Sequence, residues 1–387
     1  MNDQKNISQL MYFAVFLSFC RGIRFPNNWT MTHYLLSYEH GYIKRGLIGS
    51  ILRFFAEQWS YWSLATLAYL ILFGSVTLLF WVSHKYLTNV LALVFFTSPG
   101  FVFYFHEVGY SEQIMIFMVV FLLCIARELS FRCLVIVSLI CYGFTANVHE
   151  AAVVMIAPCF LLLSLVKAKS TKELLSVCGL FLVASIGLLC FALVLPKSDD
   201  LSNIISKSVR HHAMFEPRQD VFAIYQNSFL DYTNLLKEYW KLSEYKWLVL
   251  KSAFCFFPST IMLIFSGLQL LQQAKFFSRL HLTLIAVIMI LSCTSPVLLD
   301  ILAYDFHRFH AISTMAVFLS LLTIISLLEI HVIVRKRTTY IAWMIVLLNL
   351  SSTNYFFDGY QPRMFPEYEL PGTILKQWHD DQQIPKV

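Results

Sequence analysis

The feature that most constrains this chain is the recurrence, along almost its whole length, of apolar runs near 20 residues separated by short polar breaks. A helical run of that length matches the thickness of the hydrocarbon layer of a bilayer. Runs are read at 7–24, 61–83, 88–105, 113–127, 131–147, 151–167, 173–195, 248–271, 279–301, 309–333 and 339–356. The expected fold is therefore all-α, a polytopic membrane protein with about eleven transmembrane helices. The runs at 113–127 and 131–147 are short, and either cross with little tilt or form one re-entrant pair. Composition agrees: 58% of residues are hydrophobic and 13% charged, against roughly 25% charged in soluble proteins. A soluble enzyme is excluded, and a single polytopic domain covers 1–387.

The formal charge of +6 suggests nucleic acid, but in a membrane protein basic residues collect in cytoplasmic loops. The nine cysteines fall within or beside apolar runs with no CxxC pair, and read as small core residues. Asp3 and Lys5 precede a first apolar run that ends at Arg21 without a small-residue cleavage site. That run reads as a retained first helix, with a signal peptide as the alternative.

Lys85, then Arg127 and Arg132, then Lys167, Lys169 and Lys172, then Lys275 and Arg279, then Arg335, Lys336 and Arg337 fall in alternate connections. With Lys5, that set holds twelve Lys or Arg against the four acids Asp3, Glu128, Glu173 and Glu329. The rule that short cytoplasmic loops are basic then puts the N-terminus inside and the C-terminus outside. Nine of the twelve histidines fall on the outer side, as do the longer polar segments: loops 25–60 and 196–247 and the tail 357–387. An active site in this chain is expected to open outward.

Loop 25–60 contains Glu39, His40, Lys44 and Arg45, with glycines at 41, 46 and 49. Two cations on the non-cytoplasmic side either bind an anion or merely meet lipid phosphates. The mostly apolar stretch 47–55 suits a helix in the interface. Two shorter connections place His106 beside Glu107, with Glu112 following, and His149 beside Glu150. These donors leave open a divalent metal, zinc, manganese or magnesium, if the loops converge. Asp305, His307 and Arg308 form a dense titratable cluster before the tenth run. The Arg308 guanidinium suits a phosphate, or forms a structural ion pair with Asp305. No nucleotide-binding loop, Ser-centred elbow or internal repeat is visible.

This layout resembles the GT-C class of integral-membrane glycosyltransferases, which use a polyprenyl-phosphate-linked sugar at the outer face. The resemblance is architectural: many spans, an inside N-terminus, a long first outer loop with an acid and surface helices, and a second long outer loop mid-chain. Many members carry an aspartate, often in an acidic pair, where this chain has Glu39 followed by His40. The resemblance implies transfer of a sugar from a polyprenyl-phosphate donor to a lipid-linked glycan acceptor by inverting displacement. Glu39 would be the base, with Glu107 a second catalytic carboxylate. Lys44, Arg45 and Arg308 would clamp the phosphate, and His40, His106, His149, Glu150, Asp305 and His307 would complete the substrate site. A bacterial inner membrane with a periplasmic site is the expected location.

The rival readings are an O-antigen or polysaccharide polymerase acting on undecaprenyl-linked repeats through arginines, a lipid-linked glycan transporter, and an acyltransferase. Transport predicts ionisable groups at span centres, whereas most charges here lie at span ends.

Overall fold

The computed structural model describes residues 2–195, 197–227, 229–274, 277–301, 305–328 and 335–351. Among the described residues the regular elements are helical, and β pairing is limited to one isolated bridge between Trp59 and Ala213. In chain order the α-helices are α1 (Asn2–Gly22), α2 (Asn28–Tyr34), α3 (Leu47–Leu52), α4 (Tyr61–Tyr86), α5 (Val90–Phe96), α6 (Pro99–His106), α7 (Ser111–Ile125), α8 (Phe131–Val148) and α9 (Ala152–Met155). They continue with α10 (Ala157–Val166), α11 (Thr171–Val194), α12 (Asp199–His212), α13 (Phe229–Lys241), α14 (Ser243–Leu271), α15 (Arg279–Leu298), α16 (Phe306–Leu328) and α17 (Lys336–Ser351).

Six helices among the described residues are long and apolar enough to cross a membrane: α4, α8, α11, α15, α16 and the Tyr245–Leu271 part of α14. The pair α6 and α7 passes together but is bent by 118°, so the number is seven if that pair is one span. This is fewer than the eleven expected runs, for local reasons. The run 88–105 breaks after Thr97 because Pro99 has no N–H to continue the ladder. Ser98 caps the new helix, its Oγ accepting from the Phe101 N–H at 3.2 Å. The run 151–167 splits at Ile156, ahead of Pro158, into α9 and α10. α1 has 21 residues but is too polar to join the six, and α17 has only 16. The sharp bend falls between α6 and α7, one element earlier than the re-entrant pair the sequence suggested. The connection 329–334 and the tail 357–387 lie outside the described residues.

α16 is the centre of the bundle, since 89% of its apolar window is buried inside the protein against 11% for α11. It packs against α14, α15, α6 and α10, and Phe318 stacks on Phe95 at 3.7 Å and 4°. Lipid gives apolar side chains no reason to leave it, so close backbone approach through small residues carries much of the packing. Gly22 lets α1 meet α6: a Cβ there would stand 2.2 Å from the Val102 carbonyl oxygen. Gly49 does the same for α3 against the Leu36 carbonyl, also at 2.2 Å.

The break between α5 and α6 leaves backbone groups without helical partners in a buried place, which a membrane interior does not tolerate. Asn349 of α17 closes it. Its Nδ2 donates to the Val94 carbonyl at 3.1 Å and the Thr97 Oγ1 at 3.2 Å, and the Asn349 backbone carbonyl accepts from Arg21 Nη1 at 3.2 Å.

Basic side chains and their partners gather at the ends of several helices. At one end Lys167 Nζ donates to the Arg127 and Leu129 carbonyls at 2.9 and 2.6 Å, Arg127 donates to the Tyr86 hydroxyl at 3.1 Å, and Ser8 pairs with His84 at 2.9 Å. Three of the basic connections that alternate in the sequence, at Lys85, Arg127 and Lys167, therefore share an end. The opposite end carries α2, α3, α12 and the turns 107–110 and 149–151.

Gly22→Ala and Gly49→Ala each force a backbone to move, and should lower stability by about 1–3 kcal/mol. Thermal unfolding of the purified protein should show both midpoints falling. Gly143→Ala, where a Cβ meets nothing within 4 Å in α8, should leave the midpoint unchanged or raise it.

Candidate functional site

The first long connection is built to place Arg45. Asn27 caps α2 by accepting from the Thr30 N–H at 2.9 Å, and Ser50 Oγ accepts from the Tyr38 N–H at 2.8 Å. Gly41 has φ 100° and Arg45 φ 60°. Only the second is unusual for its residue type, since a side chain in the left-handed region is disfavoured. The guanidinium of Arg45 compensates with two parallel bonds to Glu150, Nε to Oε2 at 3.0 Å and Nη2 to Oε1 at 2.8 Å. Such fork-to-carboxylate pairs are the strong ones. Burial opposes ionisation of Glu150, yet the Arg45 charge outweighs it and holds the carboxyl well below its usual range.

Two clefts meet at Arg45. The central one, about 380 Å³ counting its open mouth, is lined by Trp29, His33, Arg45, Tyr110, Ser111 and His149. The second, about 350 Å³, has Lys44, Arg45, Asn147 and Glu150 on one side and Leu188, Phe191, Ala192 and Leu195 of the α11 end on the other. A smaller recess of about 230 Å³ extends it between Lys44, Lys197 and Tyr225. Lys44 forms no ion pair among the described residues, and its carbonyl accepts from the Tyr225 hydroxyl at 2.8 Å. Tyr42 and Tyr38, stacked at 4.9 Å, both donate to Asn147 Oδ1.

A third cleft, about 310 Å³, shares Tyr110 with the central one and is lined by Glu107, Glu112 and Arg308. Arg308 is buried between two acids, with Nη1 at 2.9 Å from Asp305 Oδ2 and Nε at 3.0 Å from Glu112 Oε1. Its guanidinium also lies 5.2 Å from the Tyr110 ring centre, a cation–π distance. Glu107 is near His106 Nε2 at 3.7 Å.

Glu39 stands apart. Ser208 of α12 donates to it at 2.6 Å, and Arg53 contacts it at 2.6 Å while donating to Ser208 at 2.7 Å. His40 and His212 lie 3.4 and 3.8 Å away. The Ser208 hydroxyl first, and then the Arg53 guanidinium, hold its carboxyl down at about 2. Glu39 lines none of the four clefts. It joins the first connection to α12, a join extended by the Trp59 N–H donating to the His212 carbonyl at 2.8 Å.

The structure thus brings Lys44, Arg45, His149 and Glu150 to one group of clefts, Glu107 and Arg308 to the adjoining one with Asp305 paired to Arg308, and Glu39 with His40 to a surface strut. His106 packs by the Phe103 ring at 5.7 Å and His307 by the Phe306 ring at 4.0 Å. The convergence a metal needs is not made: the described residues include no group of three His, Cys, Asp or Glu side chains placed to share an ion. Sequence reasoning missed Trp29, His33, Tyr110 and Lys197, which carry no local motif. It also missed a buried chain in which His310 Nδ1 pairs with Ser252 Oγ at 2.7 Å and Nε2 with Asp300 Oδ2 at 2.9 Å. None of the four clefts reaches that chain, which joins α14 and α16 to the turn Leu299–Ile301.

Comparison with protein-family models, with curated proteins and with solved structures finds no match to this chain.

Arg45→Ala leaves a largely buried carboxylate unpaired and should cost toward the lower end of about 3–5 kcal/mol. The double variant Arg45→Ala/Glu150→Gln should recover part of that loss in a denaturation series. The depressed carboxyl of Glu39 gives stability that is present above the ordinary carboxylate range and is lost as pH falls toward about 2. Glu39→Gln has no carboxyl to protonate and should lose this pH dependence: corrected for the protease's own pH profile, pepsin should cut the 199–225 segment of the wild type faster near about pH 2 than near about pH 4, and that of the variant equally at both.

Proposed function

We propose that this protein is a membrane glycosyltransferase of the GT-C type. It moves a sugar from a polyprenyl-phosphate donor to a lipid-linked glycan acceptor, at the outer face of what is, in this reading, a bacterial inner membrane. The observation that carries the reading is the cleft beside α11. Lys44, Arg45 and Lys197 gather at its polar side, while its other wall is the end of the helix most exposed to lipid. A ligand with an anionic head and a long apolar tail suits that combination, because head and tail need opposite surroundings within a few ångströms.

In this reading the donor phosphate sits against Lys44 and Lys197 with the Arg45 edge beside it, and the sugar extends into the central cleft. An acceptor hydroxyl attacks the anomeric carbon, the bond from that carbon to the phosphate oxygen breaks, and the departing phosphate keeps the electron pair. A carboxylate takes the hydroxyl proton. One displacement inverts the anomeric centre, and cations held in place stabilise the leaving charge. Of the two carboxylates expected for this task, Glu107 lies in a cleft, whereas Glu39 is occupied by Arg53 and Ser208. A carboxyl held near 2 is a weak proton acceptor at neutral pH, whereas burial pushes the Glu107 carboxyl up to about 8. This favours Glu107 as the base, acting through its ionised fraction, with a rate that rises toward about pH 8. The same occupation of Glu39 favours, as a second reading, a polymerase that relies on Arg45 and Arg308 without an essential carboxylate.

The test is transfer of a labelled sugar from a polyprenyl phosphate to lipid-linked acceptors by the purified protein. Glu107→Gln should lower the rate by about 10²–10⁴-fold, the usual worth of a positioned base. Lys44→Ala should fall as well, and Glu39→Gln should act chiefly through stability. Activity surviving in Glu107→Gln and Glu39→Gln but lost in Arg45→Lys and Arg308→Lys would move the assignment to the polymerase. No transfer from any donor would end both readings.

A further inference from the structure

The central cleft differs in electrical character from the cationic recess beside it. Both guanidiniums that border this region are spent on acids: Arg45 on Glu150, Arg308 on Asp305 and Glu112. Apart from Arg45, whose charge is paired with Glu150, the cavity is faced by an aromatic wall and uncharged side chains. Trp29 and Tyr110 are stacked, with ring centres 5.4 Å apart and planes 28° apart, and Ser111 and Thr30 line the same space.

His149 supplies the most specific element. Only 6% of the residue is exposed. Its Nδ1 accepts a hydrogen bond from the Ala151 N–H at 3.1 Å, so the proton of the neutral ring is on Nε2. That Nε2 is buried and has no partner among the described residues. Burial first, and then the neighbouring Arg45 charge, hold the ring neutral by lowering its affinity for a second proton. A buried N–H donor without a partner is a cost that a bound oxygen would remove. The Nε2 of His33, on the same cleft, is likewise buried without a partner among the described residues.

We infer that the cleft among Trp29, Tyr110, His33 and His149 is a subsite for an uncharged sugar ring, and that it discriminates against hexuronic acids and other anionic sugars. The inference rests on the proposed function only in assigning this ring to a transferred or accepting sugar. The ring's apolar face lies on the Trp29–Tyr110 wall, and its hydroxyls meet the His149 Nε2–H, Ser111 and Thr30. A carboxylate on the ring would meet no free cation. The one cation lining the cleft, Arg45, is already neutralised by Glu150, and a carboxylate losing its water there without compensation is disfavoured. Anionic binding belongs instead to the Lys44–Lys197 recess, so the two halves of a sugar phosphate are read by two chemically distinct compartments.

The test is saturation-transfer-difference NMR on the full chain in phosphatidylcholine nanodiscs, which avoids glycoside detergents, with empty nanodiscs as the blank. The probes are the methyl glycosides of glucose, galactose, mannose and N-acetylglucosamine, and methyl glucuronide. At least one neutral glycoside should receive saturation, with methyl glucuronide weaker by about tenfold, the effect of a modest unfavourable term. Trp29→Ala and His149→Phe should abolish the neutral signal, while Phe54→Ser, at a side chain 87% exposed and outside every cleft, should keep it. Glu150→Gln frees the Arg45 charge and should raise the glucuronide signal; Glu150→Ala supplies the same test should the first variant fail to fold. Equal binding of methyl glucuronide to the wild type, binding unaffected by Trp29→Ala, or no binding of any neutral glycoside would overturn the proposal. The assay contains no lipid donor, so its result is separate from the transfer experiment. Binding without transfer retains the subsite and rejects the transferase, whereas transfer that prefers an anionic sugar does the reverse.

Discussion

A hydrocarbon layer offers the backbone no partner, so a chain of this composition must either keep its helices intact or settle each interruption within the protein. The arrangement of this molecule follows from where it interrupts them. The helices that remain whole form the frame, with α16 enclosed at its centre and α11 left to the lipid. The interruptions at 97–98, 107–110 and 149–151 all lie where side chains can receive the freed groups. Gln113, for example, accepts from the Gly109 N–H at 2.9 Å and donates to the Tyr104 carbonyl at 3.0 Å. Two of these three interruptions are also where Glu107, Tyr110, His149 and Glu150 are found.

Charge in this setting is handled by pairing before it is available for chemistry. Arg45 and Arg308 look alike as basic residues near span ends, and both prove to be neutralised by acids on other elements. Lysines 44 and 197 are held through different contacts, a carbonyl accepting from Tyr225 and an ammonium donating to the Asn227 carbonyl. The region is therefore divided into a cationic recess, a neutral aromatic cavity and an acid-rich cleft, with Arg45 and Tyr110 as the partitions. That division underlies the functional reading more than any single residue does.

Helical character, the lipid-exposed runs and the clustering of Lys85, Arg127 and Lys167 at one end were legible in the sequence, because each depends on local composition or on loop charge. Span number was less so: a 20-residue apolar window does not reveal that Pro99 or Pro158 starts a new helix inside it, or that the chain turns by 118° before α7. The adjacency of His149 and Glu150 invited a metal reading. The partner that matters to Glu150 is Arg45, 105 positions earlier, and pairings over that distance leave no local trace. Glu39 is the reverse case, conspicuous as a loop acid but tied to Ser208, 169 positions on. Trp29 and Tyr110 gave no signal because an aromatic residue near a membrane surface is commonplace.

The contact between Asn349 and the broken segment 90–106 also bears on the order in which the protein is made. The Val94 carbonyl finds the Asn349 amide 255 residues later in the chain. On a ribosome, the first half of the bundle is thus synthesised and inserted while a buried carbonyl and the Thr97 hydroxyl still lack one of their partners. Water, lipid headgroups or the insertion machinery must attend to that break until α17 arrives. That buried break is then closed only when α17 has been made, and the packing of the early helices is not complete at the time they are inserted.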